Sequence, residues 1–284
     1  RESEGVFVFE DDDLYTSNFS KQWKDFNKIQ IDSYNNTSIS FDYLNTLLFN
    51  NFEEIKNKNI LEIGCGAGRF TEHIVKKSSL CVSVDLSKSI FYNVSINEKN
   101  LILIKSDLIN LKIKNKFDIV ICRGMLQHTP DPEKSILKLF DFIDNEGLIF
   151  FDYYKKPKIG VFHPKYWLWR PLLKRLFTYE KLKSFLTINI LSLIRIKNII
   201  RKLFFNSYFI SDCFIPIWDF REDKYKIENN LFIEWTILDT LDGIFAEFDI
   251  PKSNKEIVNI IKKNNYFIKK NNIQKNIFCV SKNI

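Results

Sequence analysis

Five short apolar runs, at 59–63, 80–84, 101–104, 117–121 and 147–152, recur along the chain with helical or loop segments between them. Runs of this length, apolar almost throughout, predict strands buried on both faces, and their alternation with helices predicts a parallel sheet covered on both sides. Ahead of them, Phe41, Leu44, Leu47, Leu48 and Phe52 fall at helical spacing, which predicts an amphipathic helix within Ser38 to Ile55. The clearest helix between the runs follows Pro132 and reaches Phe142. Near the end, a helical pattern over 253–264 leads into two β-rich runs, 266–271 and 277–281, which predict a closing antiparallel hairpin.

Between Lys155 and Asn230 the alternation stops. Ile196, Ile199, Ile200 and Leu203 follow an i, i+3, i+4, i+7 pattern, with Arg195, Lys197, Arg201 and Lys202 on other positions of the same turns. Basic amphipathic helices are therefore expected to form an insert. The resulting division is 1–58, an N-terminal segment and helix packing on the core; 59–154, the core; 155–230, the insert; and 231–284, the completion of the sheet.

Composition narrows the class. With 284 residues, 45% apolar and 27% charged, and only 8 Gly and 7 Pro, the chain is not disordered, collagen-like or a disulfide scaffold. The net charge of +7 is unevenly spread, because 155–205 holds thirteen Lys/Arg against the single acid Glu180. That segment carries +12 and the remainder −5. Cysteines at 65, 81, 122, 213 and 279 form no Cys-x-x-Cys pair, which points to a reducing cytoplasm and gives no structural zinc site; no other metal-ligand set has convincing spacing. No stretch approaches the roughly 18–20 clean apolar residues of a membrane span. The start, Arg1-Glu2-Ser3-Glu4, lacks an apolar signal core and reads as a trimmed beginning rather than a targeting signal.

The most specific pattern is Asn59-Ile60-Leu61-Glu62-Ile63-Gly64-Cys65-Gly66-Ala67-Gly68, an apolar strand running into a glycine turn. Glycines there permit a sharp turn and a close ligand approach. The third glycine comes one residue earlier than a dinucleotide site needs, and Glu62 disfavours a pyrophosphate while suiting a cation. S-adenosylmethionine carries a sulfonium and an ammonium, so it is favoured over NAD. Asp85 ends the second run, seventeen residues after Gly68, where an acid can accept from ribose hydroxyls. Asp107 follows the third run, placed to accept from an adenine amine with Leu108 beside the ring. Each acid alone could equally cap a helix, but three on consecutive strand ends mark a ligand-binding edge.

On these residues the chain resembles class I S-adenosylmethionine-dependent methyltransferases. The segment Cys122-Arg123-Gly124-Met125-Leu126-Gln127-His128-Thr129-Pro130-Asp131-Pro132 resembles the G-[VM]-L-H-H-T-P-D-P loop of a bacterial small-molecule subgroup, with Gln127 in place of the first His. Asn18-Phe19-Ser20-Lys21-Gln22-Trp23 echoes that subgroup's F-G-x-Q-W segment. The run Asp239-Thr240-Leu241-Asp242, continuing to Asp249, echoes a late D-T-F-D-x-x-x-P-x-Y-D segment, with Ala246 and Phe248 as departures. The resemblance implies a doubly wound, Rossmann-like seven-stranded α/β sheet with a closing hairpin and an inserted helical lid. It implies cofactor contacts from Glu62, Gly64, Cys65, Gly66 and Gly68, from Asp85 and Leu86, from Ser106, Asp107 and Leu108, and from Arg123.

The resemblance also implies in-line methyl transfer, in which alignment supplies much of the acceleration and a base serves only a poorly ionised acceptor. His128 follows the fourth strand and could take a hydroxyl proton, or equally could order the Thr129–Pro132 turn. Tyr153, Tyr154, Asp239 and Asp242 are candidate acceptor-binding groups, with ordinary packing or surface exposure as the alternative; His73 and His163 read as structural or solvent-facing. O-methylation of a small molecule of saccharide or secondary-metabolite type is the first expectation. The alternatives are a lipid-linked acceptor, RNA methylation and a non-catalytic binding module. The insert could cover the acceptor, hold an anionic acceptor, or dock through 165–205 on an anionic membrane at its inner face. Nucleic acid is disfavoured, since no recognisable RNA-binding module accompanies the basic charge.

Overall fold

The computed structural model describes residues 1–157, 163–218, 225 and 227–283. Its strands are β1 (Glu2–Ser3), β2 (Val6–Val8), β3 (Asn59–Ile63), β4 (Leu80–Asp85), β5 (Leu101–Lys105), β6 (Phe117–Cys122), β7 (Ile143–Asp152), β8 (Phe267–Asn272) and β9 (Ile277–Ser281). The α-helices are α1 (Ser17–Phe26), α2 (Asp32–Asn35), α3 (Ile39–Leu47), α4 (Thr71–Ile74), α5 (Ile90–Asn93), α6 (Pro132–Leu139), α7 (Arg170–Leu176), α8 (Tyr179–Leu203), α9 (Tyr208–Phe214), α10 (Asn229–Phe245) and α11 (Asn254–Lys263). Two compact units result, Arg1–Lys156 with Phe248–Ile284, and Pro157–Glu247.

The first unit holds one mixed sheet in the order β1-β2-β5-β4-β3-β6-β7-β9-β8. Strands β3 to β7 run parallel, whereas β9 is antiparallel to both β7 and β8. From β3 the chain winds outward through β4 and β5, then crosses back to β6 and β7, so the order reverses between β3 and β6. Open α/β sheets bind ligands outside the carboxyl ends of strands at such a reversal.

The sheet has nine strands in place of the expected seven. The extra two come from the N-terminal segment, where β2 pairs parallel with β5 and β1 turns back on β2. A strand of three residues, with Val6 and Val8 buried and Phe7 exposed, is too short for its alternation to stand out in a sequence.

Alternation along each strand builds both faces of the core. In β3, Leu61 and Ile63 face a cluster with Ile136 and Leu139 of α6 and Ile257 and Ile261 of α11. Ile60 faces the opposite cluster with Leu44 and Leu47 of α3 and Ile74 of α4. The helix starts are chemically marked: Asp131 accepts from Lys134 N–H ahead of Pro132, and Ser253 with Glu256 closes a capping box.

In the second unit, α10 joins α7 to α9, so the compact insert extends through Glu247 instead of ending near 230. The strongly apolar α10 buries Trp235, Ile237, Leu238, Leu241 and Ile244 within that unit. Lys158, one of the thirteen basic residues of 155–205, lies outside the described residues.

A buried ionic knot fastens α2 to α4. His73 Nε2 lies 3.0 Å from Asp32 Oδ2 and 3.4 Å from Glu72 Oε1. Asp32 also accepts from the Ser40 and Phe41 N–H groups and the Thr37 hydroxyl, and Glu72 accepts from Asp32 N–H. Although burial works against its charge, the two carboxylates hold the His73 pKa above its ordinary value. Both carboxylates are themselves lowered despite burial, by His73 and by their other donors. The His73 contribution is complete below the unfolded histidine value of 6.5 and fades as pH rises through the raised folded value. The carboxylate contributions hold above the ordinary 3.8 and 4.5 and fade as pH falls through the lowered values. His73→Gln is expected to cost roughly 1–2 kcal/mol near pH 5.5 and distinctly less near pH 9, read from urea denaturation of both proteins at the two pH values.

Candidate active site

The glycine turn joins β3 to the segment leading into α4, with Gly64, Gly66 and Gly68 at φ of +78°, +54° and +99°. A Cβ at Gly68 would come within 2.6 Å of Asn93 Oδ1, and one at Gly64 within 2.7 Å of Met125 Cβ. Backbone conformation and close packing thus both require glycine at these two positions. Gly66 instead faces the Trp23 indole, whose nearest atom would be 3.7 Å from a Cβ there.

Asp85 secures the turn from the end of β4. Its Oδ2 accepts from Gly66 N–H at 2.8 Å, and its Oδ1 from the Ser87 N–H and hydroxyl at 2.8 and 2.6 Å. Burial raises its pKa against the pull of these donors. Ser106 N–H donates to the Asp85 carbonyl, so the ends of β4 and β5 are joined. Asp107 accepts from Ile109 N–H and from the Tyr15 hydroxyl, each at 2.7 Å. Leu86, Ser106 and Leu108 are buried beside these acids. Cys65 is buried in the turn, and burial drives its thiol pKa well up, so it packs as an inert side chain.

His128 lies on the short 3₁₀ turn after β6, nearly buried. Its Nδ1 is 2.8 Å from the Phe248 carbonyl, which can only accept, so Nδ1 carries the proton and Nε2 is the acceptor in the neutral ring. Among the described residues Nε2 has no hydrogen-bond partner. The ring meets Phe19 and Tyr154 edge-to-face, at centroid distances of 5.2 and 5.3 Å.

Glu62, Arg123 and Tyr153 turn away from this edge. Glu62 shares the β3 face of Ile60 and points under the sheet toward α4, where Oε2 accepts from Thr71 and Ser83 hydroxyls at 2.6 and 2.8 Å. Strand alternation therefore places it beneath the turn as a support, not on the ligand-facing edge. Arg123 also turns away. It stacks 4.8 Å from the Tyr43 ring centroid, lies 3.5 Å from Asp152 Oδ2 and donates to the Tyr43 carbonyl. Tyr153 is a core residue whose hydroxyl donates to the Ile250 carbonyl, whereas its neighbour Tyr154 stays beside His128. Asp239 and Asp242 belong to α10 of the second unit and are half-buried there.

Three aromatic side chains from the N-terminal segment complete the edge: Tyr15 on Asp107, Phe19 on His128 and Trp23 on Gly66. Phe19 and Trp23 fell within a recognised segment, but nothing in the pattern marked Tyr15. Asp152, the acid ending β7, was also passed over. It accepts from Gly124 N–H at 2.6 Å and so fixes the loop that carries His128. A separate groove of about 510 Å³ lies at the opposite, amino edge of the sheet, lined by Lys58, Lys116, Asp118 and Asp144, and contains none of the expected site residues.

Residues 61–151 match the family model described as a methyltransferase domain. Over that span the chain is similar to methyltransferase domains. A ubiquinone biosynthesis O-methyltransferase from Coxiella burnetii is 32% identical over 103 residues, 34% of this chain and 44% of that protein. Its counterpart from Hydrogenovibrio crunogenus is 30% identical over 106 residues, 35% of this chain and 44% of that protein. The chain thus spans less than half the length of these curated relatives. Among solved structures, the N-methyltransferase NodS from Bradyrhizobium japonicum with S-adenosyl-L-homocysteine has 19% identity and a TM-score of 0.38, covering 40% of this chain and 62% of that one.

Burial raises the pKa of Glu62 to about 7, against the hydrogen bonds of Thr71 and Ser83. A carboxyl raised from 4.5 to about 7 favours folding in its protonated form, and this advantage is lost as pH rises through that interval. Glu62→Gln keeps an acceptor for both hydroxyls without the charge. Its stability is expected to change less than that of the natural protein between pH 5 and 8, measured by chemical denaturation; parallel pH profiles would contradict a buried titrating carboxyl.

Proposed function

We propose that the chain binds S-adenosylmethionine at the carboxyl edge of the sheet and methylates a small hydroxylated acceptor on oxygen. The carrying observation is the convergence at one edge of the left-handed glycine turn, two acids on adjacent strand ends and a histidine whose tautomer leaves Nε2 as the acceptor. The relatives named O-methyltransferases support an oxygen acceptor.

The residues fit such a cofactor. Gly66 presents no Cβ, and its one aromatic neighbour, Trp23, is a wall suited to a planar or aliphatic group. Asp85 Oδ2 accepts one hydrogen bond and retains a second lone pair for a ribose hydroxyl. Asp107 likewise retains acceptor capacity for an amine beside the Tyr15 hydroxyl, and Leu86 and Leu108 offer apolar contact. When bound, S-adenosylmethionine supplies a methyl group already activated on a sulfonium.

The protein's own part is positional and protonic. His128 Nε2 can take the proton of an acceptor hydroxyl, while Nδ1–H keeps its bond to the Phe248 carbonyl and steadies the imidazolium that forms. Phe19 and Tyr154 hold the ring from two sides and restrict water around it. Asp152, through Gly124, keeps the His128 loop against the end of β7.

Calorimetry of the chain with S-adenosylmethionine is expected to show micromolar-range binding that Asp85→Ala abolishes; absence of binding to the natural chain would remove the cofactor assignment. His128→Ala is expected to lower turnover by roughly 10²–10⁴-fold with cofactor affinity nearly unchanged. Equal turnover of the two proteins on a hydroxylated acceptor would leave His128 a purely structural residue.

A further inference from the structure

Helix α8 is apolar on two opposite sides. Its inward side buries Tyr179, Leu182, Leu186 and Ile190 within the second unit, together with Lys197, which pairs with Asp212 at 2.7 Å. At 100° per residue, the opposite sector collects Phe185, Ile188, Leu191, Ile196, Ile199 and Leu203. Their side chains lie in solvent, with Ile188 81% and Leu203 72% exposed. An ordinary surface helix places its polar residues there, and six large apolar groups in one sector mark a surface that contacts something apolar.

Three features identify the contact. Lys181, Arg195 and Lys202 are exposed within the same sector, while Lys197 is neutralised inside by Asp212 and adds nothing to the surface field. Glu180 is the only acid between 155 and 205. Beyond the helix end, Phe205 sits at a left-handed turn with φ +54° and is 98% exposed, continuing the apolar stripe past Leu203.

We propose that this face of α8 and the Phe205 turn dock on an anionic lipid membrane, with the helix lying in the plane of the interface. A helix of 25 residues is about 37 Å long, and its exposed stripe lets apolar groups enter the acyl boundary while the cations meet lipid phosphates. No described helix is long and apolar enough to cross a membrane, in keeping with a surface contact. A second copy of the chain fits less well, because a two-fold contact through α8 would set the same cations against each other with Glu180 as the one acid on the helix. Docking is independent of the proposed methyl transfer, and Asp85→Ala is expected to dock like the natural chain.

The test is flotation of the full chain with phosphatidylcholine vesicles, with and without phosphatidylglycerol. The chain is expected to float with the anionic vesicles alone, and to be released by high salt. The triple variant Lys181→Gln, Arg195→Gln, Lys202→Gln is expected to bind roughly tenfold or more weakly. Ile188→Glu with Leu203→Glu should abolish flotation; both sites are exposed, and unchanged circular dichroism and melting would show that the fold persists. Failure of the natural chain to float with anionic vesicles would overturn the proposal, as would equal flotation of natural chain and variants. A dimer by light scattering that Ile188→Glu with Leu203→Glu dissociates, without vesicle binding, would assign the face to self-association instead.

Discussion

The glycine turn stands on a buried carboxyl. Glu62 joins β3, β4 and the start of α4 through the Ser83 and Thr71 hydroxyls, directly beneath the backbone that must present Gly66 to a ligand. Thr71 in turn accepts from the Asn93 amide, and Asn93 packs against Gly68. A single polar node therefore sets the separation of two strands, the origin of a helix and the room left at the third glycine. In this setting burial is functional in a mechanical sense: polar groups with fixed partners hold a turn more stiffly than apolar contacts, which tolerate sliding. The second oxygen of Glu62 is buried without a partner among the described residues, consistent with burial raising its pKa.

A second constraint acts from above. Lys105, buried at the end of β5, donates to the carbonyls of Glu10 and Asp12 at 3.0 and 3.1 Å and lies 3.3 Å from Asp13 Oδ1. A buried ammonium needs this many acceptors, and satisfying it pins the segment after β2 across the strand ends. Tyr15, Phe19 and Trp23 follow within ten residues and land on Asp107, His128 and Gly66. The lysine thus orders a strap whose aromatic side chains wall the edge that the glycine turn and acids open. With its hydroxyl on Asp107 and its ring 5.7 Å from Phe248, Tyr15 also links that strap to the segment whose carbonyl fixes His128.

Much of this was legible in the sequence, and the reasons are specific. The strands β3 to β7 were readable because runs buried on both faces are apolar almost throughout, and the closing hairpin because its two β-rich runs flank a short polar connection. Asp85 and Asp107 were placed by strand-end position, a local rule. Glu62 was misplaced by the same rule: its neighbours are all apolar, so the sequence shows a strand but not which face the lone acid takes. Alternation puts it with Ile60, but which layer covers that face is settled only when α4 packs there. Arg123 followed its loop into the expected set, whereas Tyr43 and Asp152, distant in sequence, draw it away. Tyr15 was invisible because its partner lies 92 residues further on.

The charge distribution separates two kinds of demand on the chain. In the sheet unit, acids are spent one by one on backbone N–H groups and hydroxyls at strand ends, so each has a defined partner and a defined geometry. In α8, Lys197 is turned inward to Asp212, whereas Lys181, Arg195 and Lys202 are exposed among isoleucine and leucine. Buried, paired charges specify a shape; exposed charges among apolar side chains specify an environment. The first unit is accordingly explained by its own contacts, whereas the outward face of α8 becomes energetically reasonable only beside a surface that takes up both its apolar groups and its positive charge.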